Sequence, residues 1–96
     1  MQLTCIALGL DHRHIYGMTE NMKKSGVECL GFWTLGNPET LDGYVKRFPN
    51  IPRFDRLEDA LECGADLAMV SAIPADRADL TVKAMQHGMD VMSDKP

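Results

Sequence analysis

Short apolar runs alternate with segments whose apolar residues recur every three or four positions, from one end of this 96-residue chain to the other. A run that is apolar throughout reads as a strand buried on both faces, whereas three-to-four spacing reads as the buried stripe of a helix. Residues 3–10 (LTCIALGL) form the first run, broken only by Thr4 and Gly9. Residues 14–25 then place Ile15, Met18 and Met22 at helical spacing, with polar Glu20, Asn21, Lys23 and Lys24 between them and Gly26 as the stop. Residues 27–34 (VECLGFWT) are a second buried strand. In the loop LGNP that follows, Asn37 is placed to cap a helix with Pro38 in its first turn, running to residue 48. The stretch PNIPRFD contains two prolines, which cannot donate to a ladder, so it holds only a short edge strand around Arg53 and Phe54. Asp55 then caps a helix over 57–63, with Leu57, Ala60 and Leu61 on one face.

Residues 65–73 (ADLAMVSAI) are the third strong run, ending at Pro74. Residues 76–87 are amphipathic, with Leu80, Ala84 and His87 along one stripe and Ala78, Val82 and Met85 along another; Gly88 ends that helix and 90–93 (DVMS) form the last strand. Strand and helix thus alternate throughout. This predicts one α/β domain over 1–96, a doubly wound parallel sheet of about five strands with helices on both faces, because right-handed crossovers leave little other choice.

Composition narrows the function classes. No apolar run approaches the eighteen or so residues of a membrane span, and the start MQLTCIALGL lacks the basic n-region and cleavage site of a secretory signal, so a cytoplasmic location and no membrane partner are expected. The net charge of −4, with Lys and Arg scattered, argues against nucleic acid and for a small-molecule or protein partner. Cys5, Cys29 and Cys63 contain no CxxC and sit in or beside apolar segments, which reads as free thiols of a reducing compartment. His12 and His14 are the one pair with metal-ligand spacing; without a third ligand no metal is assigned.

In open parallel sheets, ligands bind beyond the carboxyl ends of the strands. The first such turn is Gly9-Leu10-Asp11-His12-Arg13-His14. A dinucleotide fingerprint would set glycines at 9, 11 and 14, and only Gly9 matches. Asp11 brings a carboxylate where phosphate charge would sit, which Arg13 with His12 or His14 could offset. A structural turn with solvated polar side chains is the competing reading. At the end of the second strand, where an acidic residue normally binds the adenosine ribose, stands Thr34 after Trp33. Threonine can bond to a hydroxyl and does not repel a 2′-phosphate, so NAD and NADP both remain open, although no arginine follows nearby in sequence. Trp33 either stacks on an adenine or packs at the strand end.

Several segments in order resemble the N-terminal domain of the glucose-fructose oxidoreductase, inositol dehydrogenase and MocA family of NAD(P)-dependent oxidoreductases. They are IALGLDHRHIYGM, VECLGFW with a following NPE, RFPNIPRFDRLEDALE leading to ADLAMVSAIP, and DRADLTVKAMQHGMDVMSDKP. The last is the most specific, being similar to the family's strand-loop-helix-strand with its Glu-Lys-Pro signature. The resemblance implies a Rossmann-like fold with sheet order 3-2-1-4-5 and a nicotinamide dinucleotide as partner. It places Lys95 near nicotinamide and substrate as the catalytic candidate, Pro96 in a rigid turn, and Asp94 where the family has glutamate. It assigns Ala72, Ile73 and Pro74 to the cofactor's ribose and nicotinamide side and Arg77 to a position where many members have histidine. Met89 stands where lysine is common, which is expected to alter only surface charge. The resemblance covers the whole chain but only about a third of a typical member. The members' second domain, carrying a proton-transferring residue and the pocket for a sugar or polyol, is expected to be absent, so the chain is not expected to catalyse alone. A non-catalytic module that self-associates or docks to another protein is the alternative, and homo-oligomers are expected in either case.

Overall fold

The structure, a computed structural model, describes residues 2–11, 13–72 and 74–93. Its elements follow the order β1 (Thr4–Leu8), α1 (His14–Lys24), β2 (Glu28–Trp33), α2 (Thr40–Arg47), α3 (Leu57–Leu61), β3 (Leu67–Val70), α4 (Pro74–Gln86) and β4 (Asp90–Ser93). The four strands form one parallel sheet in the order β2-β1-β3-β4. The expected fifth strand shrinks to a single parallel bridge between Phe32 and Arg53 on the outer edge of β2. With that bridge counted as the third strand, the order is 3-2-1-4-5.

Alternation along each strand divides the core between the two faces of the sheet. Ile6 and Leu8 of β1 join Ala68 and Val70 of β3 on one face, where α3 contributes Ala60 and Leu61 and α4 contributes Leu80 and Ala84. Cys5 and Ala7 join Phe32 and Met69 on the other, covered by Ile15 and Met22 of α1 and Tyr44 of α2. Tyr44 is fully buried, its ring 5.2 Å edge-on from Phe32 and 4.9 Å from Phe48, and its hydroxyl shares a 2.9 Å hydrogen bond with Thr19. Burial pushes its hydroxyl pKa up. Cys5 and Cys29 face each other across β1 and β2. The neighbouring Cys29 thiol, with burial, raises the pKa of the Cys5 thiol, and the Cys5 thiol in turn lowers that of Cys29.

Three expectations are corrected here. Asn37 does not cap α2; the turn opens with Leu41 N–H donating to the Pro38 carbonyl at 3.0 Å, and Glu39 precedes the helix without a side-chain cap. Arg56, not Asp55, precedes α3, which ends at Leu61. Met89 does not modulate surface charge: only 3% exposed, it packs with Leu80 and Ala84 beneath the helix. Of the two stripes read on the last helix, Leu80 and Ala84 face the core, while Val82 and Met85 are exposed at 52% and 62%.

Candidate functional site

The carboxyl ends of β1, β2 and β3 are tied into one rim by backbone hydrogen bonds. Gly9 N–H donates to the Trp33 carbonyl at 2.6 Å, Ser71 N–H to the Leu8 carbonyl at 3.2 Å, and Asp11 N–H to the Ser71 carbonyl at 2.8 Å. Leu10 N–H donates to the Thr34 hydroxyl at 3.3 Å, and the Thr40 hydroxyl donates to the Leu10 carbonyl. Gly9 makes this close approach possible. Its φ is +86°, and a Cβ there would lie 3.1 Å from the Cβ of Ala72 and 3.3 Å from its backbone nitrogen. A side chain would therefore meet both a strained backbone and the loop after β3.

Above this rim opens a cleft of about 210 Å³, floored by Gly9 and Ala72, walled by Trp33 at the end of β2 and Leu35 beyond it, and closed by Asp76 and Leu80 of α4. Asp11, Asp76 and Asp79 bring carboxylates to its lining, and Lys83 brings an ammonium that pairs with Asp79 at 3.1 Å. The balance inside is acidic, so an anionic ligand must draw its counter-charge from the cleft's margin. Arg13 and His14 stand exposed at the start of α1, where the first helical turn leaves amide donors without intrahelical partners.

The structure thus brings Gly9, Asp11 and Ala72 together in the cleft. Leu10 turns its side chain wholly into the core. Thr34 is only 3% exposed, its hydroxyl already accepting from Leu10. Pro74 opens α4. Arg77, in the first turn of that helix, donates from Nη2 to the Ala72 carbonyl at 3.5 Å, and its Nε is buried without a hydrogen-bond partner among the described residues. His12, Ile73, Asp94, Lys95 and Pro96 lie outside the described residues. Among those described, no group of three His, Cys, Asp or Glu side chains could hold a metal ion, and no helix is long and apolar enough to cross a membrane.

Sequence reasoning missed Leu35, Asp76, Asp79 and Lys83 as cleft residues. The i, i+4 spacing of Asp79 and Lys83 signals their pairing, but only the packing of α4 over the sheet aims them at the cleft. It also missed Arg53, which the edge bridge carries to the end of β2. There Arg53 Nη2 donates to the Gly36 carbonyl at 3.0 Å and approaches the Thr34 carbonyl at 3.4 Å.

A parallel sheet with this strand order, a glycine turn after β1 and a cleft at the strand ends define the architecture. The fold is Rossmann-like. Solved structures agree over the whole chain. A protein from Erwinia carotovora atroseptica SCRI1043, provisionally described as an oxidoreductase, superposes with a TM-score of 0.90 at 28% identity, over 99% of this chain and 28% of its own. The WlbA dehydrogenase of Chromobacterium violaceum, described in complex with NADH and UDP-GlcNAcA, gives 0.79 at 18% identity, over 99% of this chain and 28% of its own. The WlbA dehydrogenase of Bordetella pertussis, described with the same two ligands, gives 0.78 at 22% identity, over 100% of this chain and 29% of its own. The Rossmann-like chain therefore spans less than a third of the length of these proteins. No protein-family model matches it, and no curated protein matches it in sequence.

Proposed function

We propose that the chain is the NAD(P)-binding domain of an oxidoreductase acting on a sugar, polyol or related CH–OH substrate, with the substrate held by a second domain. The observation that carries this reading is the cleft at the strand ends, where Gly9, at positive φ and against Ala72, leaves no side chain between the backbone rim and a ligand. The NADH and UDP-sugar named for the two WlbA dehydrogenases support it in kind.

In this reading the nicotinamide supplies or accepts the hydride, and the chain's own residues hold and orient. The start of α1 and the Arg13 guanidinium receive the pyrophosphate, with His14 exposed beside them. Trp33 and Leu35 offer an apolar wall to the adenine. By resemblance, Ala72, Ile73, Pro74 and Arg77 border the nicotinamide ribose. By resemblance, Asp94, Lys95 and Pro96 follow β4 toward the nicotinamide, Lys95 being the group that would touch substrate. Hydride transfer also needs the substrate held against the ring and a positioned acid or base, so the domain alone is not expected to turn over. A cytoplasmic location belongs to the proposal, supported by three free cysteines, as does self-association.

A second reading, a non-catalytic interaction module, is favoured by one feature: the amides of Gly9, Leu10 and Asp11 are all spent inside the fold. Cofactor titration separates the two. Trp33, the single tryptophan, lines the cleft, so NADH or NADPH is expected to change its fluorescence saturably. No change up to millimolar cofactor, with no heat by calorimetry, would leave the module reading standing.

A further inference from the structure

The end of β2 is where an open α/β sheet reads the adenosine ribose: a carboxylate there accepts from the 2′-hydroxyl, while a nearby arginine accommodates a 2′-phosphate. Residues 33–37 are Trp33, Thr34, Leu35, Gly36 and Asn37, with no carboxylate among them. The Thr34 hydroxyl carries no charge, belongs to a residue only 3% exposed and already accepts from Leu10 N–H, so it does not stand in for a carboxylate. A 2′-hydroxyl therefore finds no acidic acceptor in this turn.

A cation is present instead, delivered from an unexpected direction. The bridge between Phe32 and Arg53 is fixed on both sides, Phe32 N–H donating to the Pro52 carbonyl at 3.0 Å and Phe54 N–H to the Phe32 carbonyl at 2.7 Å. This sets Arg53 beside the last residues of β2, and its Nη2 hydrogen bond to the Gly36 carbonyl anchors the guanidinium on the turn itself. One nitrogen makes both contacts to the turn, leaving Nε and Nη1 without a partner among the described residues. Arg53 forms no ion pair with any described carboxylate. The groove it edges adds one further cation, Lys46, and one carboxylate, Asp42.

We infer that Arg53 is the specificity residue for the 2′-group of the cofactor, and that the site prefers the 2′-phosphorylated dinucleotide, NADP(H), to NAD(H). This rests on the dinucleotide-binding reading above. An anchored guanidinium has lost much of its rotational freedom before the ligand arrives, and its free donors suit phosphate oxygens.

Calorimetric titration of the full chain with NADPH and NADH, and with 2′,5′-ADP against 5′-AMP, tests it. NADPH is expected to bind at least tenfold more tightly than NADH, a lower bound for hydrogen bonds to a charged group, and 2′,5′-ADP to outbind 5′-AMP in the same direction. Arg53→Met is expected to abolish the difference by weakening NADPH at least tenfold more than it weakens NADH, and Arg53→Lys to restore part of it. Equal or tighter binding of NADH by the unaltered chain would overturn the inference while leaving the dinucleotide-binding reading intact. An equal loss of both nucleotides in Arg53→Met, with Arg53→Lys no better, would reduce Arg53 to a clamp on the 34–36 turn and overturn it too. Binding of neither nucleotide would overturn both.

Discussion

Asp11 carries the charge most opposed to a dinucleotide in this cleft. Its amide is fixed on the Ser71 carbonyl, so the residue cannot swing away from the rim, while its side chain remains exposed on the cleft lining. A carboxylate and a phosphate about 4 Å apart repel by about 1 kcal/mol in water and about 4 kcal/mol near a protein surface. Exposure favours the lower figure. Asp11→Asn keeps the shape and removes the charge, so it is expected to tighten NADPH and NADH alike by about 1 kcal/mol, roughly fivefold. The gain should shrink as salt rises, since exposed charges are screened over about 10 Å at moderate ionic strength. Calorimetry at low and high salt reads both effects, and unchanged affinity at low salt would mean that the pyrophosphate lies away from this turn.

At the scale of elements, β2 is defined as much by what it lacks as by what it presents. A Cβ at Gly31 would lie 2.4 Å from Cε2 of Phe54 and 3.0 Å from the Pro52 carbonyl oxygen. Glycine is thus what lets segment 52–54 lie against the strand. Gly31→Ala should push out the Phe54 ring, which packs against the core, and cost about 1–3 kcal/mol as overpacking. Urea unfolding measures this, and a loss below about 0.5 kcal/mol, the range of an ordinary surface change, would show that the segment is not held by close packing. The change should also loosen Arg53, which sits between Pro52 and Phe54. The sequence made the strands and main helices legible because continuous apolar runs and three-to-four spacing are local signals. It made Gly9 legible because a glycine after a buried strand has few other uses. It could not show that Arg53 meets Gly36, seventeen residues earlier, since that pairing depends on a parallel bridge stunted by prolines. Nor could spacing alone choose between the two stripes of α4; packing buried Leu80 and left Val82 outside.

At the scale of the whole molecule, the two edges of the sheet are unlike. Beyond β2, the bridge at Arg53 and the flanking hydrogen bonds of Phe32 use up the strand's outward groups there. Beyond β4, among the described residues, nothing pairs. Open edges template further strands, and this one lies beside apolar surface: Met92 is 44% exposed on β4, with Val82 and Met85 outward on the neighbouring α4. A second copy related by a two-fold axis would set β4 antiparallel to its counterpart, satisfy both edges and cover these side chains in one closed, self-complementary contact. Sedimentation of the full chain is therefore expected to show a concentration-dependent dimer. Met92→Lys, which puts a charge on the edge without touching the buried core, should weaken it at least tenfold, about 1.4 kcal/mol. A monomer at every concentration would remove the dimer and leave this edge unpaired. A dimer indifferent to Met92→Lys would place the contact elsewhere, away from the strand whose continuation leads toward Lys95.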